Sequence, residues 1–109
     1  MLESLLNSEN KEQVLIFLVA RELGYATEIA RFFHVALFGI QKQLDKLEEG
    51  GILISKKVGR TRTYEFNRRY ALLKELKNLL ERALTFYPDD IQDDLLMNRR
   101  RPRTRGKPL

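Results

Sequence analysis

The side chains that can do chemistry in this sequence are mostly basic, and they are clustered. Four bases lie within seven residues, and six more lie within the last twelve residues. The first group is Lys56, Lys57, Arg60 and Arg62, and the second is Arg99, Arg100, Arg101, Arg103, Arg105 and Lys107. Lysine and arginine at this density bind anions, phosphate groups above all, through charge-assisted hydrogen bonds. The formal net charge of +5 also favours anionic partners.

Catalytic and metal chemistry lacks its usual residue types. The 109 residues include no cysteine and a single histidine, His34, which we interpret as a structural turn residue. Disulfides, thiolate zinc sites, cysteine nucleophiles and multi-histidine sites are therefore excluded. No Gly-rich phosphate loop or nucleophile–base pair is visible. We predict that the protein is not an enzyme and takes no metal or cofactor.

The charge is divided among three parts of the chain. Residues 1–87 carry a net charge of +3, residues 88–97 a net charge of −4, and residues 98–109 a net charge of +6. The acidic part lacks the glycine and terminal glutamate of a calcium loop, so we interpret it as a solvated hinge. Its aspartates are Asp89, Asp90, Asp93 and Asp94. The basic part has too few apolar residues to offset its ordering entropy and is predicted to be disordered.

No segment of the sequence is typical of a membrane protein. The longest apolar run, Val14 to Ala20, has seven residues, whereas about 20 are needed to span a bilayer. The first residues show no basic segment before an apolar one, as a signal peptide would. We predict no membrane partner and a cytoplasmic, nucleoid-associated protein.

Hydrophobic periodicity predicts the helices and the hairpin that carry the basic side chains. Ser8 or Asn10 can cap a first helix that ends before Gly24. In a later helix, Leu37, Ile40, Leu44 and Leu47 step by three, four and three residues, which is helical spacing. The predicted helices after the first are Ala26–Phe33, Leu37–Glu49 and Tyr70–Phe86, and the predicted hairpin pairs Ile52–Val58 with Arg62–Phe66 across a turn at 59–61.

The last helix is apolar over more than one face. Eleven of the 18 residues from Tyr70 to Tyr87 are apolar, which is more than one contact with its own domain requires. The simplest partner is the same helix of a second copy, related by two-fold symmetry. The predicted dimer interface comprises Leu72, Leu76, Leu79, Leu80, Ala83 and Leu84.

The order and the motifs resemble a known group of regulators. The segment TEIARFFHVALFGIQKQLDKLEEGGIL is similar to the helix-turn-helix of ArsR-type bacterial and archaeal regulators, and the segment VGRTRTYEFN is similar to their wing. The resemblance implies a mainly α fold with a small β-hairpin wing, a winged helix-turn-helix with a C-terminal dimerisation helix. Residues 1–87 would form that domain, and residues 88–109 an acidic hinge and a disordered basic tail.

The resemblance also implies DNA contacts, with the helix 37–49 in the major groove and the wing on the backbone. Glutamine can pair bidentately with adenine, and lysine can pair with guanine. The base-facing candidates are Phe38, Gln41, Lys42, Gln43 and Asp45. The backbone candidates are Arg31, Lys46, Lys56, Lys57, Arg60 and Arg62. The tail candidates are the six bases from Arg99 to Lys107.

Several positions depart from the group's pattern. His34 stands where glycine is common, Ala36 where Ser or Thr often caps the recognition helix, and Gly39 lies within that helix. Phe38 follows the cap and either faces solvent or packs against the preceding aromatic pair. Because this chain lacks Cys and His clusters, metal sensing is not implied. At the C-terminal end, residues 105–108 resemble an AT-hook core over four residues only, and we favour a plain electrostatic arm over an AT-hook.

Two functions from different classes remain open at this point. The first is a transcriptional regulator that binds double-stranded DNA as a homodimer, by sequence or architecturally. The alternative is a protein–protein interaction module that recruits a partner through the recognition helix, with non-specific nucleic-acid binding by the tail. Phe38, Gly39 and the unusually apolar start of the recognition helix motivate this alternative, since a fold does not determine function.

Overall fold

The computed structural model describes residues 1–97, which form a helical domain with one small sheet. The predictions for the tail, residues 98–109, lie outside the described residues. The helices are α1 (Glu3–Leu6), α2 (Glu9–Arg21), α3 (Ala26–Phe33), α4 (Leu37–Glu49), α5 (Leu73–Leu84) and α6 (Asp89–Met97), and the strands are β1 (Gly24–Tyr25), β2 (Leu53–Val58) and β3 (Thr61–Phe66). The predicted fold class, mainly α with a hairpin wing, is confirmed.

Helix α2 forms the centre of the core. The Ser8 hydroxyl accepts a hydrogen bond of 3.0 Å from the Lys11 backbone N–H, so Ser8, of the two predicted candidates, is the N-cap, while Asn10 lies inside the helix. Every residue from Val14 to Ala20 is buried. A helix that is apolar on all sides must be surrounded, and α2 contacts α3, α4, α5 and α6.

Helices α3 and α4 form the predicted helix-turn-helix within the predicted boundaries. Of the four residues predicted to face inward, Ile40, Leu44 and Leu47 are buried, whereas Leu37 is exposed at the start of α4. His34 ends α3 in the left-handed conformation, with φ of 58°, and its backbone N–H donates to the Arg31 carbonyl. The structural turn role of His34 is therefore confirmed.

The Cα of Gly39, in α4, faces the side chain of Asn10 at the start of α2. A Cβ atom at this position would sit 2.4 Å from Asn10 Oδ1. Glycine inside a helix costs about 1 kcal/mol relative to alanine. The close approach of the two helices gives the structural reason for a residue that helix propensity alone disfavours.

The wing is part of a three-stranded antiparallel sheet with the order β1-β3-β2. Strands β2 and β3 pair in the register that sets Leu53 opposite Phe66, and the turn between them uses Gly59 at a φ of 64°. Strand β1 was not predicted, because two residues are too few to show an alternating pattern. It pairs with β3 through Tyr64 and Thr63, so the helix-turn-helix is tied to the wing by backbone pairing.

Residues 88–97 were predicted to be a solvated hinge after a domain that ends at Tyr87, and both predictions are wrong. They form helix α6, whose Leu95 is fully buried and whose Ile91 is half-buried. These residues are four apart and therefore share one helix face. Pro88 before the helix and two aspartates in its first turn are helix-start signals. The four aspartates of α6 are exposed and do not interrupt the apolar face formed by Ile91 and Leu95.

Arg21 holds the C-terminal end of α6 against the domain. Arg21 is 9% exposed, and its guanidinium lies over the ring of Phe17 at 4.8 Å and over the ring of Phe32 at 5.3 Å. Its Nε donates to the Leu95 carbonyl at 3.3 Å, and its Nη2 donates to the Asp94 carbonyl at 3.1 Å. Because Arg21 lies at the end of α2, these bonds tie α6 to the central helix of the core.

Candidate nucleic-acid interface

The outward face of α4 presents one aromatic and several charged side chains. The exposed predicted residues on α4 are Phe38, Lys42, Asp45 and Lys46. Phe38 is 78% exposed, so of the two alternatives for this residue the solvent-facing one is correct. The preceding aromatic pair instead packs internally, with the rings of Phe32 and Phe33 edge to face at 4.9 Å.

Gln43 does not share that outward face. It is half-buried, and its Oε1 is buried with no hydrogen-bond partner among the described residues. Gln43 follows Lys42 by one position, which turns it about 100° around a helix with roughly 3.6 residues per turn. The side chain points into the domain, so the prediction that Gln43 faces a base is wrong for this structure.

Gln41 is held in place by two hydrogen bonds. Its Nε2 donates to Asp45 Oδ1 at 2.9 Å and to the Tyr64 hydroxyl at 3.1 Å. An ionised carboxylate accepts but cannot donate, so the Gln41 atom that faces Asp45 must be the amide nitrogen. Tyr64 is buried in β3, and burial raises the pKa of its hydroxyl, which keeps it protonated. Sequence reasoning did not find Tyr64 as a site residue.

The four bases predicted for the wing are all exposed. Lys56 and Lys57 lie on β2, Arg62 lies on β3 directly opposite Lys57, and Arg60 lies in the turn between the strands. No acidic residue lies between positions 56 and 62. The hairpin therefore carries a concentrated positive charge at its tip, where a phosphate backbone can approach it.

A second link joins the wing to α4. The Ser55 hydroxyl donates to Glu48 Oε2 at 2.7 Å and accepts from Arg62 Nη1 at 3.0 Å. Together with the bond between Gln41 and Tyr64, this link fixes the wing at both its strands relative to α4. The recognition helix and the basic wing thus form one connected surface.

Other basic residues lie at the edges of this surface. Arg31 is exposed on α3, as the prediction for a backbone contact requires. Arg68 and Arg69 are exposed immediately after β3, and the Arg69 backbone N–H donates to Asn67 Oδ1. The prediction omitted this adjacent arginine pair, although two consecutive bases after the wing were a visible signal.

The predicted dimer face is only partly available. Leu80, Ala83 and Leu84 are buried within a single chain, which corrects their assignment to an intermolecular contact. Leu72 is 58% exposed and Leu79 is 39% exposed, while Leu76 is half-buried. Phe86, which was not predicted, is also exposed. Of the exposed residues, Leu79 lies on α5, while Leu72 precedes the helix and Phe86 follows it.

Within residues 1–97, no group of three or more His, Cys, Asp or Glu side chains is arranged to hold a metal ion. None of the helices in this part of the chain is long and apolar enough to cross a membrane.

A helix-turn-helix followed by a β-hairpin, with further helices on either side, defines a winged helix-turn-helix domain. The same fold is present in solved structures of bacterial proteins. An apo form of a ZitR double mutant from Lactococcus lactis superposes with a TM-score of 0.55 at 17% identity, over 86% of this chain and 80% of that chain. The adhesin competence repressor AdcR from Streptococcus pyogenes superposes with a TM-score of 0.52 at 16% identity, over 86% of each chain.

At identities this low, the likeness shows the fold alone. No protein-family model matches the sequence, and no curated protein matches it significantly.

Proposed function

We propose that the protein is a transcriptional regulator that binds double-stranded DNA as a homodimer. Helix α4 would enter the major groove and the wing would contact the backbone, which is the docking geometry of this class of domain. One observation carries the proposal. The hairpin that carries the four exposed bases is joined to α4 by side-chain hydrogen bonds, from Gln41 to Tyr64 and from Ser55 to Glu48. A protein that reads a groove needs both elements on the same surface.

The size of the domain is compatible with two copies on one duplex. The described chain extends over 37 × 35 × 31 Å. Successive major grooves on one face of B-DNA are about 34–36 Å apart. A dimer that meets through the exposed side of α5 would need to set its two α4 helices at this spacing, which is close to the extent of one chain.

The structural neighbours support regulation more than partner recruitment. AdcR is named as a repressor, and nothing in the neighbours favours the protein-interaction alternative. The kinship with ArsR-type regulators, the lack of metal sensing and the nucleoid association remain our predictions. The tail residues Arg99 to Lys107 would add sequence-independent affinity, since each phosphate neutralised adds about 0.9 to the salt slope.

The proposal is tested by measuring the affinity for a duplex as a function of salt concentration. We expect binding at low salt and a linear fall of log K with log salt concentration. Lys57→Glu and Arg60→Glu should each weaken binding and lower the slope by about 1. Lys74→Glu is the matched control, because it makes the same charge change at an exposed position on α5. It should change affinity much less than the wing variants.

Two results would overturn the proposal. The first is the absence of duplex binding by the wild-type chain at low salt. The second is equal affinity loss in Lys57→Glu and Lys74→Glu, because net charge and not the wing would then determine binding.

A further inference from the structure

The two hydrogen bonds of Gln41 restrict what its side chain can offer to a base. A glutamine amide nitrogen carries two protons, and its carbonyl oxygen carries two lone pairs. In this structure both protons are directed to partners within the protein, one to Asp45 Oδ1 and the other to the Tyr64 hydroxyl. The bidentate adenine contact expected from the sequence needs one of those protons for adenine N7. That contact is therefore blocked while both bonds are made.

The same arrangement leaves hydrogen-bond acceptors pointing outward. Among residues 1–97, no protein donor reaches Gln41 Oε1 or Asp45 Oδ2. Gln41 and Asp45 are four positions apart on α4 and therefore neighbours on the helix surface. The recognition helix presents a pair of acceptors, one of them charged, at the position where a base edge would lie.

Each base responds differently to an acceptor pair in the major groove. Guanine offers N7 and O6, and thymine offers O4, so both would set acceptor against acceptor. Adenine offers the N6 donor beside the N7 acceptor, and N7 would be left without a donor. Cytosine offers only the N4 amino group, which donates. An acidic side chain in the groove also repels the phosphates, so it adds affinity only where it meets such a donor.

We propose that Gln41 and Asp45, positioned by the Tyr64 hydroxyl, make this protein select cytosine at one position in each half-site. The inference rests on the proposed function and names the base that its recognition helix reads. Asp45 and Gln41 are the specificity-determining residues. Tyr64 is a positioning residue, because it acts on the base through Gln41 and its ring is buried under α4 and the wing.

The experiment is selection of bound duplexes from a randomised DNA library, with the base composition at each position as the readout. The wild-type chain should enrich cytosine over each other base at one position per half-site, on the order of 5- to 100-fold, as expected for a specific base contact. Asp45→Asn replaces one acceptor with an amide and should reduce that enrichment to less than about threefold.

Tyr64→Phe tests the positioning role. It removes only the hydroxyl, which frees one Gln41 proton for adenine N7, so adenine should rise at the same position to at least the level of cytosine. Tyr70→Phe is the matched control, since it removes a phenolic hydroxyl at the turn before α5. This control should keep the wild-type preference. Asp45 is exposed, so Asp45→Asn remains informative even if Tyr64→Phe folds poorly.

The outcomes separate this inference from the proposed function. If the wild-type chain retains no duplex at low salt, the proposed function fails and the base preference fails with it. If duplexes are retained but their base composition is flat, DNA binding stands and the cytosine inference is overturned. It is also overturned if cytosine is enriched equally by the wild-type chain, Asp45→Asn and Tyr64→Phe.

Discussion

The hydroxyl of Tyr87 donates a hydrogen bond of 2.5 Å to Glu12 Oε2, joining the chain after α5 to the first half of α2. Glu12 is almost fully buried, and its Oε1 accepts from the Leu2 backbone N–H at 2.8 Å. The same oxygen lies 3.4 Å from the α-amino group of Met1. A buried carboxylate is tolerated only when such partners replace its lost hydration, so three segments of the chain meet at this one group.

Removing the tyrosine hydroxyl should destabilise the domain. Tyr87→Phe leaves one oxygen of the buried carboxylate without its donor, and we expect a loss of about 1–3 kcal/mol in the free energy of unfolding. Urea denaturation measures this as a lower midpoint at unchanged slope. Tyr70→Phe makes the same chemical change elsewhere and should leave the midpoint near its wild-type value. An unaltered midpoint in Tyr87→Phe would show that Glu12 does not depend on this bond.

The same hydroxyl predicts a loss of stability at alkaline pH. Burial, and then the adjacent Glu12 carboxylate, raises the pKa of Tyr87 above the ordinary tyrosine value of about 10. The unfolded chain therefore releases a proton above that pH while the folded chain retains it, and the free energy of unfolding falls as pH rises. The contribution is complete below pH 10. Tyr87→Phe should flatten the fall measured above about pH 10, the unfolded tyrosine value, and an equally steep fall would assign it to other groups.

Gly39 predicts a coupling between α4 and α2. Alanine would favour the helix by about 1 kcal/mol, but its Cβ would sit 2.4 Å from Asn10 Oδ1. We therefore expect Gly39→Ala to be neutral or destabilising alone and stabilising in an Asn10→Ala background. A double-mutant cycle on the free energy of unfolding measures the coupling. Additive effects of the two substitutions would mean that the close approach does not constrain this position.

Arg21 should determine whether α6 stays on the domain. Arg21→Met keeps an apolar chain beside the two aromatic rings but removes the hydrogen bonds to the carbonyls of Asp94 and Leu95. Hydrogen bonds from a charged group contribute about 1.5–3 kcal/mol, so amide exchange in α6 should accelerate more than in α4. Arg82→Met, at an exposed position on α5, is the control. If amide exchange in α6 were equally fast in Arg21→Met and Arg82→Met, the Arg21 hydrogen bonds would not be what holds α6 on the domain.

The exposed side of α5 should control the oligomeric state. Leu79→Glu places a charge in the middle of the proposed contact and should convert the dimer to a folded monomer, because two like charges would then face each other. Asn78→Glu introduces the same charge at the neighbouring exposed position and should leave the dimer intact. Sedimentation measures the mass of each. A wild-type chain that sediments as a monomer at every concentration would contradict the dimer.

Local signals were enough to predict α3 and α4. Their apolar residues repeat at helical spacing, and His34 and Gly50 end them with local backbone geometry. Helix α6 was not predicted, because four aspartates dominated its composition and its partner Arg21 lies more than 70 residues away. Its apolar pair Ile91 and Leu95 was the signal that was overlooked.

The side-chain contacts of the candidate interface could not be read from spacing. The outward face of α4 was predicted from periodicity. A shift of one position turns a side chain by about 100° around the helix, which is why Gln43 points inward while Lys42 points outward. The bond from Gln41 to Tyr64 joins two elements 23 positions apart, and it depends on how the sheet packs on the helix. The buried half of the predicted dimer face depends likewise on which side of α5 the core covers.

The Ser55 hydroxyl, between Glu48 and Arg62, has a consequence for the thermodynamics of binding. Ordering a long side chain at an interface costs about 0.5–1.5 kcal/mol of conformational entropy. Here the angle between the wing and α4 and the direction of Arg62 are already set in the free protein. That entropy is lost during folding and not during complex formation. Arg62 can therefore meet its ligand with less loss of side-chain entropy than an unbonded arginine would.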